Sequence, residues 1–256
     1  MSCAVEVTGE GPDLVLLHGW GMNNGVWHPV MPLLAEHFRV TAIELPGHGV
    51  SDELDHAVDW AEAVLQSAPQ RAIWMGWSLG AQLAAKAALI APGRVSGLLM
   101  LGGTPKFVAT DDWPHAMDPQ VFHQFAEALV ANVELTLQRF LSLQVKGSDD
   151  SRETLRQLKL ALAERPSASE WGLRRGLELL LENDLRHDIH DLDCASVWVF
   201  GQRDTLVPAA AAQDIEQHLS WALCHVIPGA GHAPFLSHQT ECLRVLNDFV
   251  AGCHVD

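Results

Sequence analysis

Several absences in this chain each remove a class of function. Cations are scarce: Lys and Arg number 16 against 32 Asp and Glu, a formal net charge of -16. A field of that sign repels nucleic acid phosphates and anionic lipid heads, so neither is expected as a partner. The five cysteines (Cys3, Cys194, Cys224, Cys242, Cys253) are scattered and form no C-x-x-C pair. That argues against a disulfide framework and fits a reducing compartment. No window approaches the ~18 apolar residues of a membrane span. The first cation is Arg39, so no basic segment opens a signal peptide, and a cytoplasmic location is expected. Neither G-x-G-x-x-G nor G-x-x-x-x-G-K-S/T occurs, so no nucleotide phosphate loop is expected and nothing calls for a cofactor. His187-Asp188-Ile189-His190-Asp191 lacks the paired helical histidines of a zincin site and reads as a solvated turn, so no metal is expected. There is no internal repeat and no flexible linker.

What is present is core. The chain has 256 residues, 48% of them hydrophobic. At ~100–200 residues per domain this suggests one large domain, or one carrying an insertion. Up to about residue 105 the pattern alternates between strand and helix. Leu14–Leu17, Val40–Glu44, Ala72–Trp77 and Val95–Leu101 read as strands; 26–37, 57–67 and Ala81–Ala91 read as helices. Such alternation builds a mostly parallel sheet covered by helices on both faces. From 109 to 185 no strand is evident, and helical stretches fall near 118–131, 133–146, 150–164 and 168–183. Alternation resumes with Ser196–Phe200, a helix from Pro208, a strand at Leu223–Ile227 and a helix over Thr240–Val250. The expectation is an α/β core formed by 1–108 and 186–256, with an all-helical lid inserted at 109–185.

Gly76-Trp77-Ser78-Leu79-Gly80 is a G-x-S-x-G pentapeptide between a predicted strand and a predicted helix. The turn there is sharp, and its glycines remove clashing side chains, so Ser78 Oγ is presented at the C-terminal edge of the sheet as a nucleophile. A serine hydroxyl needs a base. His232, in the Gly-rich loop after the last strand, is the best placed of 14 histidines. The imidazole needs a carboxylate. Asp204 follows the strand Ser196–Phe200, whereas Asp188, Asp191 and Asp193 precede it and remain as alternatives. The order Ser78, Asp204, His232 is that of α/β-hydrolases. The oxyanion donors expected are the backbone N–H groups of Leu79 and of Trp20 in the His18-Gly19-Trp20 loop. Trp20 is also a candidate wall of the acyl pocket.

These segments resemble the α/β-hydrolases over essentially the whole chain. Within them they resemble the biotin-synthesis carboxylesterases. The resemblance rests on Leu16-Leu17-His18-Gly19-Trp20-Gly21, Ile73-Trp74-Met75-Gly76-Trp77-Ser78-Leu79-Gly80 and Asp112-Trp113-Pro114. It also rests on Arg139-Phe140-Leu141-Ser142-Leu143-Gln144 and on His232-Ala233-Pro234-Phe235-Leu236-Ser237-His238. It implies hydrolysis of the methyl ester of pimeloyl-acyl-carrier protein and of short-chain esters. It implies Ser78, Asp204 and His232 as triad, and Trp20, Leu79, Phe140 and Gln144 as substrate contacts. The sequence departs from the family at Ala81-Gln82, after the elbow, and at Leu135, where the family can carry an arginine. The second departure bears on carrier docking rather than on chemistry.

Nine of the 16 cations lie between 139 and 186. Arg152, Arg156 and Lys159 fall on one helical face. Arg139, Arg152 and Arg156 are therefore the expected docking residues for an acidic acyl carrier protein. The chain is expected to be a monomer. The rival readings are another Ser-His-Asp hydrolase of this plan, such as a carbon–carbon bond hydrolase or a menaquinone-pathway lyase, or a non-catalytic ligand receptor on the same scaffold.

Overall fold

The computed structural model describes residues 3–219 and 221–252, so Cys253 lies outside the described residues. Seven strands form one sheet: β1 (Val5–Thr8), β2 (Asp13–Leu17), β3 (Arg39–Ile43), β4 (Ala72–Trp77), β5 (Val95–Leu101), β6 (Ala195–Gly201) and β7 (Leu223–Ile227). Their order is β1-β3-β2-β4-β5-β6-β7. All neighbours pair parallel except β1, which runs antiparallel to β3 at the edge.

Among the described residues the helices are α1 (Met31–Leu34), α2 (Trp60–Ser67), α3 (Leu79–Ile90), α4 (Pro119–Ala131), α5 (Val133–Gln144), α6 (Ser151–Ala163), α7 (Glu170–Glu182), α8 (Ala211–His218), α9 (Pro234–Ser237) and α10 (Gln239–Gly252).

The central strands are buried on both faces, which is why they read as unbroken apolar runs. Successive residues point to opposite sides. Val15, Leu17, Trp74, Leu98 and Met100 join one core cluster; Leu14, Leu16, Ile73, Met75 and Leu99 join the other.

Helices α4 to α7 lie between β5 and β6 in sequence. Their starts are local chemistry: Asp118 accepts from the N–H groups of Gln120 and Val121, Asn132 from Leu135, and Ser169 from Gly172. The ends of this insertion meet where Lys106 bridges Asp184 and the Leu185 N–H donates to Pro105 O at 3.0 Å.

Two expectations are corrected. The helix predicted over 26–37 is a 3-10 turn, Asn24–Trp27, followed by the four-residue α1. Pro29 lies between the two and has no N–H to continue a helical ladder. Strand β1 is missing from the sequence reading because it is a four-residue edge strand whose valines face outward.

Parallel pairing puts the C-terminal ends of β2, β4, β6 and β7 on one edge of the sheet. The loops carrying Trp20, Ser78, Asp204 and His232 are gathered there.

Candidate active site

Ser78 is the only described non-glycine residue with positive φ, at φ 55 and ψ -116. The backbone there is strained, and the neighbours hold it in place. Its N–H donates to Leu101 O at 2.9 Å, and its carbonyl accepts from Ala81 N at 3.0 Å. The flanking glycines are required by contact. A Cβ on Gly76 would lie 2.4 Å from Gly80 O, and one on Gly80 would lie 2.3 Å from Leu17 O. Helix α3 begins at Leu79, two residues earlier than predicted. The Leu79 N–H is thus one of the first-turn donors that a helix leaves without an intrahelical acceptor.

His232 Nδ1 donates to Asp204 Oδ2 at 2.6 Å, with both side chains essentially out of water. The other carboxylate oxygen, Oδ1, accepts from the N–H groups of Leu206 at 2.8 Å and Val207 at 3.0 Å. These bonds fix its orientation. With its proton on Nδ1, the imidazole keeps a lone pair on Nε2, and that atom is buried without a partner among the described residues. The Trp77 indole donates to His232 O at 2.8 Å, and Gly102 passes so close that a Cβ there would lie 3.1 Å from the ring. Among the described residues, Asp204 is the carboxylate that reaches His232.

Two histidines absent from the sequence-based assignment hold the loop after β2. His18 Nδ1 donates to Gly19 O at 2.8 Å, and its Nε2 accepts from Leu45 N at 3.0 Å. His48 Nδ1 donates to Pro46 O at 2.9 Å, and its Nε2 accepts from Gly21 N at 3.2 Å. The rings are 5.4 Å apart and fully buried. Burial pushes His18 down to about 3, with the neighbouring His48 adding to the effect, and pushes His48 down to about 4. Both are neutral donor–acceptor links on either side of Trp20. The sequence signal for them is His18-Gly19-Trp20-Gly21 and Pro46-Gly47-His48-Gly49, each a histidine set in a Gly-rich turn.

Trp20 is buried, and its indole N–H donates to Leu173 O of α7 at 2.8 Å. It meets Phe125 of α4 and Phe140 of α5 edge to face. With Phe122, Leu177, Leu206 and other apolar side chains these enclose a cavity of about 40 Å³ that has no polar wall. Helix α7 approaches closely because Gly172 packs on Gly47 and Gly176 on Trp20. A Cβ would fall 2.5 Å from Gly47 O in the first case and 2.8 Å from Trp20 Cδ1 in the second.

Phe140 lines this cavity, but Gln144 does not. One turn further along α5, it is buried against Met22, with Nε2 3.8 Å from the sulfur and Oε1 without a partner among the described residues. Gln82, the departure after the elbow, is buried and bridges Thr104 O at 3.0 Å and Asn183 at 3.4 Å, joining α3 to the end of α7.

Of the expected docking residues, Arg139 and Arg152 are exposed. Arg156 forms a two-pronged pair with Glu153 at 2.6 and 2.8 Å. Much of the surrounding positive charge is also paired: Arg165 with Glu6, Arg175 with Glu178 and Glu182, and Arg186 with Asp112 and Asp184. Helix α6 borders the 3-10 turn at Asn24–Trp27 and α9, and it lines no part of the Trp20 cavity.

Among the described residues no three His, Cys, Asp or Glu side chains gather closely enough for a metal, and His190 and Asp191 lie in a single 3-10 turn. The thiol of Cys3 is pushed up to about 11 by burial. No described helix is long and apolar enough to cross a membrane.

Residues 12–239 match the family described as alpha/beta hydrolase fold. The chain is 44% identical over 250 residues to a Stenotrophomonas maltophilia (strain R551-3) protein named pimeloyl-[acyl-carrier protein] methyl ester esterase, covering 97% of this chain and 96% of that one. Proteins of the same name from Methylococcus capsulatus and Aeromonas hydrophila are 40% and 39% identical, each covered in full by 98% of this chain. Among solved structures, an esterase from Exiguobacterium antarcticum superposes with a TM-score of 0.84 at 23% identity, covering 96% of this chain and 94% of that one. An enol-lactonase from Burkholderia xenovorans LB400 superposes at 0.81 and 18% identity, covering 97% and 96%. At such identities these two speak to the fold alone.

Proposed function

This chain belongs to the alpha/beta hydrolase family and, within it, to the pimeloyl-[acyl-carrier protein] methyl ester esterases; from that premise we propose how its own residues perform the reaction. The substrate is the methyl ester of pimeloyl-acyl-carrier protein, and the products are pimeloyl-acyl-carrier protein and methanol. Short-chain esters share the chemistry.

Ser78 Oγ attacks the ester carbonyl while His232 Nε2 takes its proton. Asp204 holds the imidazole in the tautomer that leaves Nε2 free, and stabilises the cation that forms. Negative charge on the former carbonyl oxygen is met by the N–H groups of Leu79 and Trp20, the latter in a loop fixed by His18 and His48. The imidazolium protonates departing methoxide. Water, deprotonated by the same imidazole, then cleaves the acyl-enzyme. The methylene chain lies in the apolar cavity against Trp20 and Phe140, and α4 to α7 form a lid over it. Arg139 and Arg152 are the cations available to an acidic carrier.

The observation that carries this reading is the contact chain from two backbone N–H groups to Asp204, from Asp204 to His232, and onward to an unpartnered Nε2 on the sheet edge of the strained Ser78. The test is methanol release from the purified carrier-bound methyl ester. Wild type should turn it over, and Ser78→Ala should lose on the order of 10⁴-fold or more in kcat. Restoration of biotin-independent growth to a host lacking its own esterase supports the substrate. Ester cleavage by Ser78→Ala above a tenth of wild type refutes the mechanism.

A further inference from the structure

The turn between α5 and α6 touches both catalytic loops at once. The His232 N–H donates to Gln144 O, the last residue of α5, at 2.9 Å. Thr205 Oγ1, next to Asp204, donates to Leu143 O at 3.4 Å. Gln144 O belongs to the last turn of the helix, where no intrahelical donor remains for it, whereas Leu143 O also accepts from the Lys146 N–H at 3.2 Å. Beyond them the turn is tied down again. Asp149 N donates to Gly229 O at 3.0 Å. Arg203, the residue before Asp204, donates through Nη1 to Gly147 O at 2.9 Å and pairs through the same nitrogen with the Asp149 carboxylate. Its own N–H donates to Ala230 O at 2.9 Å, two residues before His232.

The fit is close. A Cβ on Gly229 would lie 2.1 Å from Asp149 Oδ2, and one on Gly231 would lie 2.8 Å from Gln144 O. One arginine thus links the acid loop, the base loop and the inserted helices.

We propose that Arg203 and Asp149 form a positioning clasp: they seat the α5–α6 turn so that Gln144 O holds the His232 backbone, and through it the imidazole, against Asp204 and towards Ser78. The inference rests on the triad reading above. Neither residue touches substrate. Both side chains are about half exposed, at 47% and 58%, so their pairing adds little to global stability. Its effect is on the angle of a ring, and small misplacements of catalytic groups are costly in rate.

The experiment compares Arg203→Leu, Asp149→Asn, the double variant and Arg203→Lys with wild type and Ser78→Ala. It reads kcat and KM on p-nitrophenyl acetate, together with thermal melting. Arg203→Leu and Asp149→Asn should each lose about tenfold in kcat with KM within about twofold and melting unchanged. The double variant should be no worse than Arg203→Leu, because the partners act as one unit. Arg203→Lys, which keeps the charge, should recover most of the rate. Full kcat in folded Arg203→Leu and Asp149→Asn overturns the proposal. Additive losses in the double overturn it as well, as does a kcat loss that tracks a fall in melting temperature and is not rescued by lysine. Turnover by Ser78→Ala would refute the triad reading itself and the clasp with it. An inactive Ser78→Ala beside fully active clasp variants refutes the clasp alone.

Discussion

The Trp20 and Phe140 rings meet edge to face, 4.9 Å between centroids and 87° between planes. This places a side chain of the inserted helices directly on the loop that follows β2. Such a pair adds roughly 0.5–1.5 kcal/mol beyond the area it buries.

Phe140→Ala removes one wall of an all-apolar cavity. KM for hexanoyl and octanoyl p-nitrophenyl esters should rise about tenfold, the equivalent of ~1.4 kcal/mol of lost apolar contact, while the acetate ester changes little. Steady-state kinetics across chain lengths decides it. An equal loss at every length, accompanied by lower thermal stability, would make Phe140 a packing residue only.

Ser78 supports a prediction of opposite signs. At φ 55 its backbone is strained, and glycine adopts that conformation freely. Ser78→Gly should therefore match or exceed wild type in stability, by up to about 1 kcal/mol, while esterase activity disappears. Urea denaturation midpoints measure the first quantity. A clearly destabilised Ser78→Gly would mean that the elbow is not under strain.

Much of this site was legible because its constraints are local. Gly76 and Gly80 flank Ser78 in sequence and touch its own turn in space. Asp204 and His232 each follow a strand whose apolar run is unmistakable. The missing pieces are of other kinds. Strand β1 is too short and exposed to show a pattern. Residues 26–37 contain enough apolar side chains for a helix, but Pro29 interrupts it. Trp20 against Phe140 and Arg203 against Asp149 join segments far apart in the chain, which spacing cannot reveal. Arg156 is a different case: Glu153 stands three residues before it, so the pairing that occupies its charge was visible in the helical spacing.

The buried histidine pair makes stability sensitive to acid. His18 and His48 are neutral in the fold, held down to about 3 and about 4 from 6.5. The unfolded chain therefore binds more protons than the native one between 6.5 and those lowered values, and stability falls as pH drops through that window. By about pH 5 the loss should be on the order of 2 kcal/mol per imidazole. Unfolding of wild type and His48→Asn between neutral pH and that point provides the measurement. The variant should show the shallower decline, and identical slopes would exclude the pair as the cause.

Carrier docking should depend on the cations whose charge is not already taken. Arg139→Glu and Arg152→Glu should each slow hydrolysis of the carrier-bound ester about tenfold at low salt, and leave p-nitrophenyl acetate unaffected. Arg156→Glu should do less, since Glu153 already neutralises that side chain. Raising ionic strength until the Debye length falls below ~8 Å should slow wild type towards the variants. Equal effects on both substrates would indicate a disturbed lid instead.

The room in the Trp20 cavity is set partly by atoms that are missing. Helix α7 supplies Leu177 and Leu180 to the cavity wall, and its distance from the sheet is fixed where Gly172 rests on Gly47 and Gly176 on Trp20. One methyl group at either glycine would act as a shim, forcing the helix or the indole to give way. The size of the cavity can therefore be retuned at Gly172, which contributes no side chain to it and presses on Gly47 rather than on Trp20. A lineage adapting this enzyme to longer or shorter esters has that route open to it without altering the chemistry.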